Sequence, residues 1–198
     1  MSISLTYLNP NPKEVDDLPD DEKNNVSYSY CNWHYQPSGI VLELTINKCQ
    51  ITLIPNEIGS FNYFLLRGIT NLFNFNSIPS SETHQYELNI KNRDLYAIQL
   101  PFERNGYCLI LFLLHDKSTN DIEIITRHLN MRDTTKIEQL PCDDLDTGII
   151  ISKSDFLKLF LDYLIRFHDD LLNAYPDLCF DEGYLDQAEI MNSMRSKF

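Results

Sequence analysis

The stretch YCLILFLLHDKSTNDIEIITRHL, Tyr107 to Leu129, decides how this chain folds. Its first eight residues, Tyr107 to Leu114, are apolar without interruption. A strand of that kind needs cover on both faces, which places it at the centre of a sheet. HDKSTN is a polar turn that contains His115 and Asp116. Beyond it Ile122 and Ile124 alternate with Asp121 and Glu123, the period of a half-buried returning strand. Upstream, QYELNI (Gln85 to Ile90) and LYAIQL (Leu95 to Leu100) alternate on either side of the turn KNRD. The four segments read as an antiparallel meander.

Downstream, the period changes from two to 3.6. In Ser152 to Tyr175 the residues Phe156, Phe160, Tyr163, Phe167 and Leu171 line one face, and Leu157, Leu161, Leu164 and Leu172 broaden it. Ser152 is placed to cap this helix, with Asp155 at its positive end. Lys158, Asp162 and Arg166 are spaced for i,i+4 pairing, and Pro176 ends the helix. A weaker C-terminal helix is expected over 181–195, with acids first and Arg195 near its end.

Toward the start of the chain, SISLTYL reads as a short strand ended by Asn9, Pro10 and Pro12. Residues 9–25 form an acidic loop. GIVLELTI and CQITLI, joined at Asn47-Lys48, read as a hairpin. Between Pro55 and Phe75 the residues Phe61, Phe64, Leu65, Ile69 and Leu72 recur at helical spacing, with Ser60 as a candidate N-cap and Gly68 an unfavourable interior residue. No repeat or linker divides the chain. The expected fold is a single α+β domain over 1–198, an antiparallel sheet with helices packed on it.

Charge is the strongest compositional signal. The 198 residues carry 29 carboxylates against 16 Lys and Arg, a formal net charge of −13, with residues 51–100 the weakly charged quarter. A field of that sign repels nucleic acid and anionic lipid and attracts a cationic protein, although net negative charge also serves solubility alone. Five cysteines, an odd count without a Cys-x-x-Cys pair, fit a reducing compartment. No basic leader is evident at the start, and no window approaches the roughly 18 apolar residues of a membrane span. The cytoplasm is therefore the expected location.

Motifs that carry chemistry are sparse. The six glycines form neither GxGxxG nor GxxxxGK[ST], and no GxSxG elbow is present. Cys31-Asn-Trp-His34 fits no zinc or cysteine-nucleophile spacing. Asp144-Leu-Asp146-Thr-Gly148 approaches a calcium loop without meeting its pattern. Of the remaining histidines, His128 ends a strand and His168 lies near a helix end, where a cation is favoured. No cofactor and no metal are expected. What remains is acid on the surface, in three clusters: Asp16, Asp17, Asp20, Asp21 and Glu22; Asp143, Asp144 and Asp146; Asp169 and Asp170. Gathered on one side they would bind a basic partner; scattered, they only solubilise.

The order of YCLILFLL, a polar turn, another strand and then ISKSDFLKLFLDYLIRF resembles the small acidic immunity proteins of bacterial contact-dependent and other polymorphic toxin systems. The resemblance spans about 85–175 and is one of layout and charge. It implies a stoichiometric inhibitor seated over a nuclease or other toxin domain, with carboxylates in its basic cleft. The expected function is thus a non-enzymatic protein-binding inhibitor, with the three clusters as partner-binding residues. Two other readings stand beside it. One is a small hydrolase with His34, His115 or His128 beside a carboxylate in a pocket. The other is an acidic mimic of nucleic acid.

Overall fold

The computed structural model describes residues 3–8, 41–46, 49–53, 58–79, 88, 90–102, 107–130, 137–138, 149–174 and 176–198. The acidic loop over 9–25 lies outside them. The fold is α+β, with helices packed on antiparallel sheet.

The core of the sheet is a three-strand meander: β4 (Asp94–Phe102), β5 (Tyr107–Asp116) and β6 (Asp121–Asn130). β5 pairs on both sides, with Leu111 opposite Ile98 on β4 and opposite Thr126 on β6. Its alternate side chains feed two separate cores. Leu109, Leu111 and Leu113 face the helices. Ile110, Phe112 and Leu114 join Leu95 in a smaller cluster, with Ile78, Leu88, Ile90, Ala97 and Ile125 packed at its margin. This double cover is why the strand is apolar throughout.

The second cover corrects one expectation. QYELNI was expected to be a fourth meander strand; Gln85, Tyr86, Glu87 and Asn89 lie outside the described residues, and Leu88 and Ile90 lie in no regular element. The Ile90 amide donates to the carbonyl of Leu88 at 3.0 Å, a local bond in place of a ladder bond. Alternation reports which side chains face the sheet; it does not report whether the backbone pairs with a neighbour. On its far side β6 instead pairs with two short strands, β7 (Ile137–Glu138) and β8 (Ile149–Ser152). A second sheet is built from β1 (Ile3–Leu8), β2 (Val41–Ile46) and β3 (Cys49–Leu53), with Ile46 opposite Cys49 as the expected hairpin requires. Leu5 ties it to the main core.

Among the described residues three α-helices complete the fold: α1 (Ile58–Phe73), α2 (Lys153–Ala174) and α3 (Glu182–Arg195). In α1, Ser60 is an interior residue and not the cap. Gly68, unfavourable by propensity, has a packing reason: a Cβ there would lie 2.6 Å from Ile98 Cγ1, so only glycine lets α1 approach β4 this closely. β8 runs into α2 without a loop, and Ser152 closes the junction by accepting a hydrogen bond from the Asp155 amide at 3.1 Å. Phe156, Phe160, Tyr163, Phe167 and Leu171 are all buried, as the period requires. The Tyr163 hydroxyl donates to Asn62 Oδ1 of α1 at 3.0 Å, and its burial raises the phenol's pKa. A short 3₁₀ helix, Pro176–Phe180, then leads to Asp181, whose carboxylate caps α3 through the Tyr184 amide at 2.8 Å.

Candidate functional site

Of the three carboxylate clusters, the structure places one. Asp16, Asp17, Asp20, Asp21, Glu22, Asp143, Asp144 and Asp146 lie outside the described residues, as do His34 and His84. Asp169 and Asp170 are exposed near the end of α2.

Around that pair the chain gathers more acid than the clusters alone suggested. From Phe167 to Met194 the sequence holds Asp169, Asp170, Asp177, Asp181, Glu182, Asp186 and Glu189, and no Lys or Arg. The fold keeps these groups together because α3 packs back on α2. Tyr184 is buried against α2, its hydroxyl donating to the His168 carbonyl at 3.1 Å, and its ring stacks on the imidazole with centroids 4.8 Å apart. Burial raises the Tyr184 pKa, and the nearby charge of Asp169 raises it further. The α2–α3 segment thus carries seven acids and no base between Phe167 and Met194, with Asp169 near the Tyr184 phenol. The base-free run was visible in the sequence; searching for adjacent carboxylates missed it because the acids of α3 are spaced along a helix.

His168 departs from expectation. The end of a helix favours a cation, but this ring is only 5% exposed. Burial lowers its pKa, against smaller opposing effects from the Gln187 hydrogen bond and the charge of Asp169. Nε2 donates to Gln187 Oε1 at 3.2 Å, and Nδ1 has no partner among the described residues. This histidine is an element of the α2–α3 contact.

A groove of about 460 Å³ runs between the last turn of α1 and the outer face of α3, lined by Thr70, Phe73, Asp186, Glu189, Ile190 and Met194 among others. Its lining mixes the apolar Phe73, Ile190 and Met194 with polar residues and the two carboxylates. Phe198 packs on Phe73 beside it, with centroids 6.2 Å apart.

His115, expected in a turn, is the penultimate residue of β5 and is 1% exposed. The strand continues past the last apolar residue because Asp116 still pairs with Asp121. Nε2 donates to Asn120 Oδ1 at 3.1 Å. Asn120, at φ 60°, also accepts the Lys153 amide on its carbonyl at 3.0 Å and so joins the β5–β6 turn to the start of α2. The Lys153 ammonium lies 3.3 Å from the ring centroid of Phe75, and burial lowers its pKa. Phe75 occupies the left-handed position after α1 (φ 58°), where glycine is usual. Tyr96 completes the cluster, its phenol pushed up to about 12 by burial and then by Asp94. The cluster is closed to solvent on the His115 side and fastens the end of α1, β4, β5 and the start of α2 together.

A second, polar groove of about 870 Å³ lies over the opposite face of the sheet. Two ion pairs lie at it: Arg93 with Glu123 and Lys117 with Asp94. Asp116 accepts from the Ser118 hydroxyl and amide, which hold its carboxyl below the usual range. His128 sits on β6 opposite Leu109 and Glu138. Among the described residues no group of three His, Cys, Asp or Glu could hold a metal ion, and no helix is long and apolar enough to cross a membrane. Cys179 is a free, exposed thiol. Comparison with protein-family models, curated proteins and solved structures yields no match to this chain.

Proposed function

We propose that this chain is a non-enzymatic protein-binding inhibitor, an immunity protein that neutralises a cationic toxin in the bacterial cytoplasm. The observation that carries the reading is the base-free stretch from Phe167 to Met194, with seven carboxylates distributed over α2, α3 and the segment that joins them. Such a surface accelerates encounter with a basic partner and repels nucleic acid and anionic lipid. Carboxylates placed against a basic catalytic cleft would block it by occupying the positions of an anionic substrate.

The test is co-expression with a toxin encoded beside this chain, followed by purification. Restored growth, with a one-to-one complex whose association slows steeply as salt rises, supports the reading. Absence of both protection and complex, with the protein folded, sinks it. Neutralising Asp169 and Asp170 in one variant, and Asp143, Asp144 and Asp146 in another, then apportions the contact between the clusters.

A further inference from the structure

We infer that the α1–α3 groove is the seat of a cationic amphipathic helix from the protein partner. The inference rests on the partner-binding reading and names the part of the surface, and the shape of ligand, that the reading leaves open.

Three observations converge on it. First, α3 buries Tyr184, Met191 and Met194 but leaves Leu185 46% and Ile190 40% exposed, so its outer face mixes apolar side chains with Asp186 and Glu189. Second, the groove beside that face is lined by Phe73 of α1 and by Ile190 and Met194 of α3 together with polar residues of both helices. Third, α1 ends at this rim with no base in its last turn, so the negative end of its dipole adds to the two carboxylates. The local field is negative from two helices at once, and among the described residues no Lys or Arg lines the groove.

The walls decide the form of the ligand. Both are α-helices, whose backbone groups are bonded internally, so an added strand would find no ladder to extend. A small polycation would satisfy Asp186 and Glu189 and leave Ile190 in water. A helix with apolar residues at i, i+4 and i+7 and Lys or Arg on its flanks meets both demands. Arg195 and Lys197 follow the groove at the C-terminal end of α3. They set the polarity of the guest, whose cations lie toward the first turns of α3.

The test uses the full chain and a defined probe: an 18-residue Leu/Lys peptide of helical period, against a scrambled peptide of the same composition, read by amide chemical shifts. The expected result is preferential binding of the periodic peptide, with shifts centred on Thr70, Phe73 and residues 186–194. Asp186→Asn with Glu189→Gln is expected to weaken binding about tenfold and flatten its salt dependence. Ile190→Ser, at an exposed site that folding tolerates, weakens binding without changing Tm. Equal binding of the scrambled peptide, shifts elsewhere, or unchanged affinity in both variants overturns the inference. Toxin protection that persists in the Ile190→Ser, Glu189→Gln variant also removes the groove while leaving the inhibitor reading intact. Groove binding of the peptide without toxin protection does the reverse.

Discussion

Helices α2 and α3 are neighbours in sequence and both are acidic, yet the fold uses them differently. α2 lies across the sheet and hides Phe156, Phe160, Phe167 and Leu171 on one side and Leu157, Leu161 and Leu164 on the next. α3 rests on α2 through Tyr184 and Gln187, buries Met191 and turns Leu185 and Ile190 outward. The lesson is that hydrophobicity alone does not separate a core helix from a presenting one. What separates them is whether the apolar residues share one face or are divided between two.

The largest effect that tests this contrast is cavity formation. Phe160→Ala, at a site with 0% exposure, should lower stability by about 3–5 kcal/mol in a denaturant melt, and Met191→Ala by about 2 kcal/mol. Equal losses would mean that α3 belongs to the same cooperative core as α2.

Acid offers the next test. Because burial depresses the His168 pKa in the folded state, the unfolded chain takes up its proton first as pH falls. Stability should therefore decline as pH drops through about 6.5 and level off below the folded pKa. Urea melts between pH 8 and 5 on wild type and His168→Gln should differ in slope in that window. Parallel curves would show that the α2–α3 contact is insensitive to this ring.

A smaller loss is expected from Tyr184→Phe, which removes the hydroxyl bonded to the His168 carbonyl. It should cost about 1 kcal/mol. Smallest of all, Leu185→Ser on the outer face should shift stability by less than about 0.5 kcal/mol. A large loss there would place Leu185 in a contact that the folded chain needs.

Much of this was legible in the residues. The uninterrupted run Tyr107 to Leu114 identified a doubly covered strand, and the 3.6 period from Phe156 to Leu171 identified α2 with its Ser152 cap. β7 and β8 were missed because two- and four-residue strands are too short to establish a period. The burial of His168 could have been found, since it continues the Leu157, Leu161, Leu164 stripe by four residues. Nothing local marked His115, whose burial depends on Phe75 and Tyr96 arriving from other elements. Gly68 was read as a weakness by propensity, a local measure, when the deciding contact is with a strand about thirty residues away.

That contact also constrains how the chain can vary by descent. The atoms nearest a methyl at position 68 are Cγ1, Cγ2 and Cβ of Ile98, so the two positions share one volume. Alanine at 68 crowds isoleucine at 98, and a much smaller residue at 98 alone leaves an empty space, so either change alone is expected to cost stability. Substitution at these sites has to pass through an unfit intermediate or occur as a pair, and lineages of this fold should carry the two residues as a linked choice.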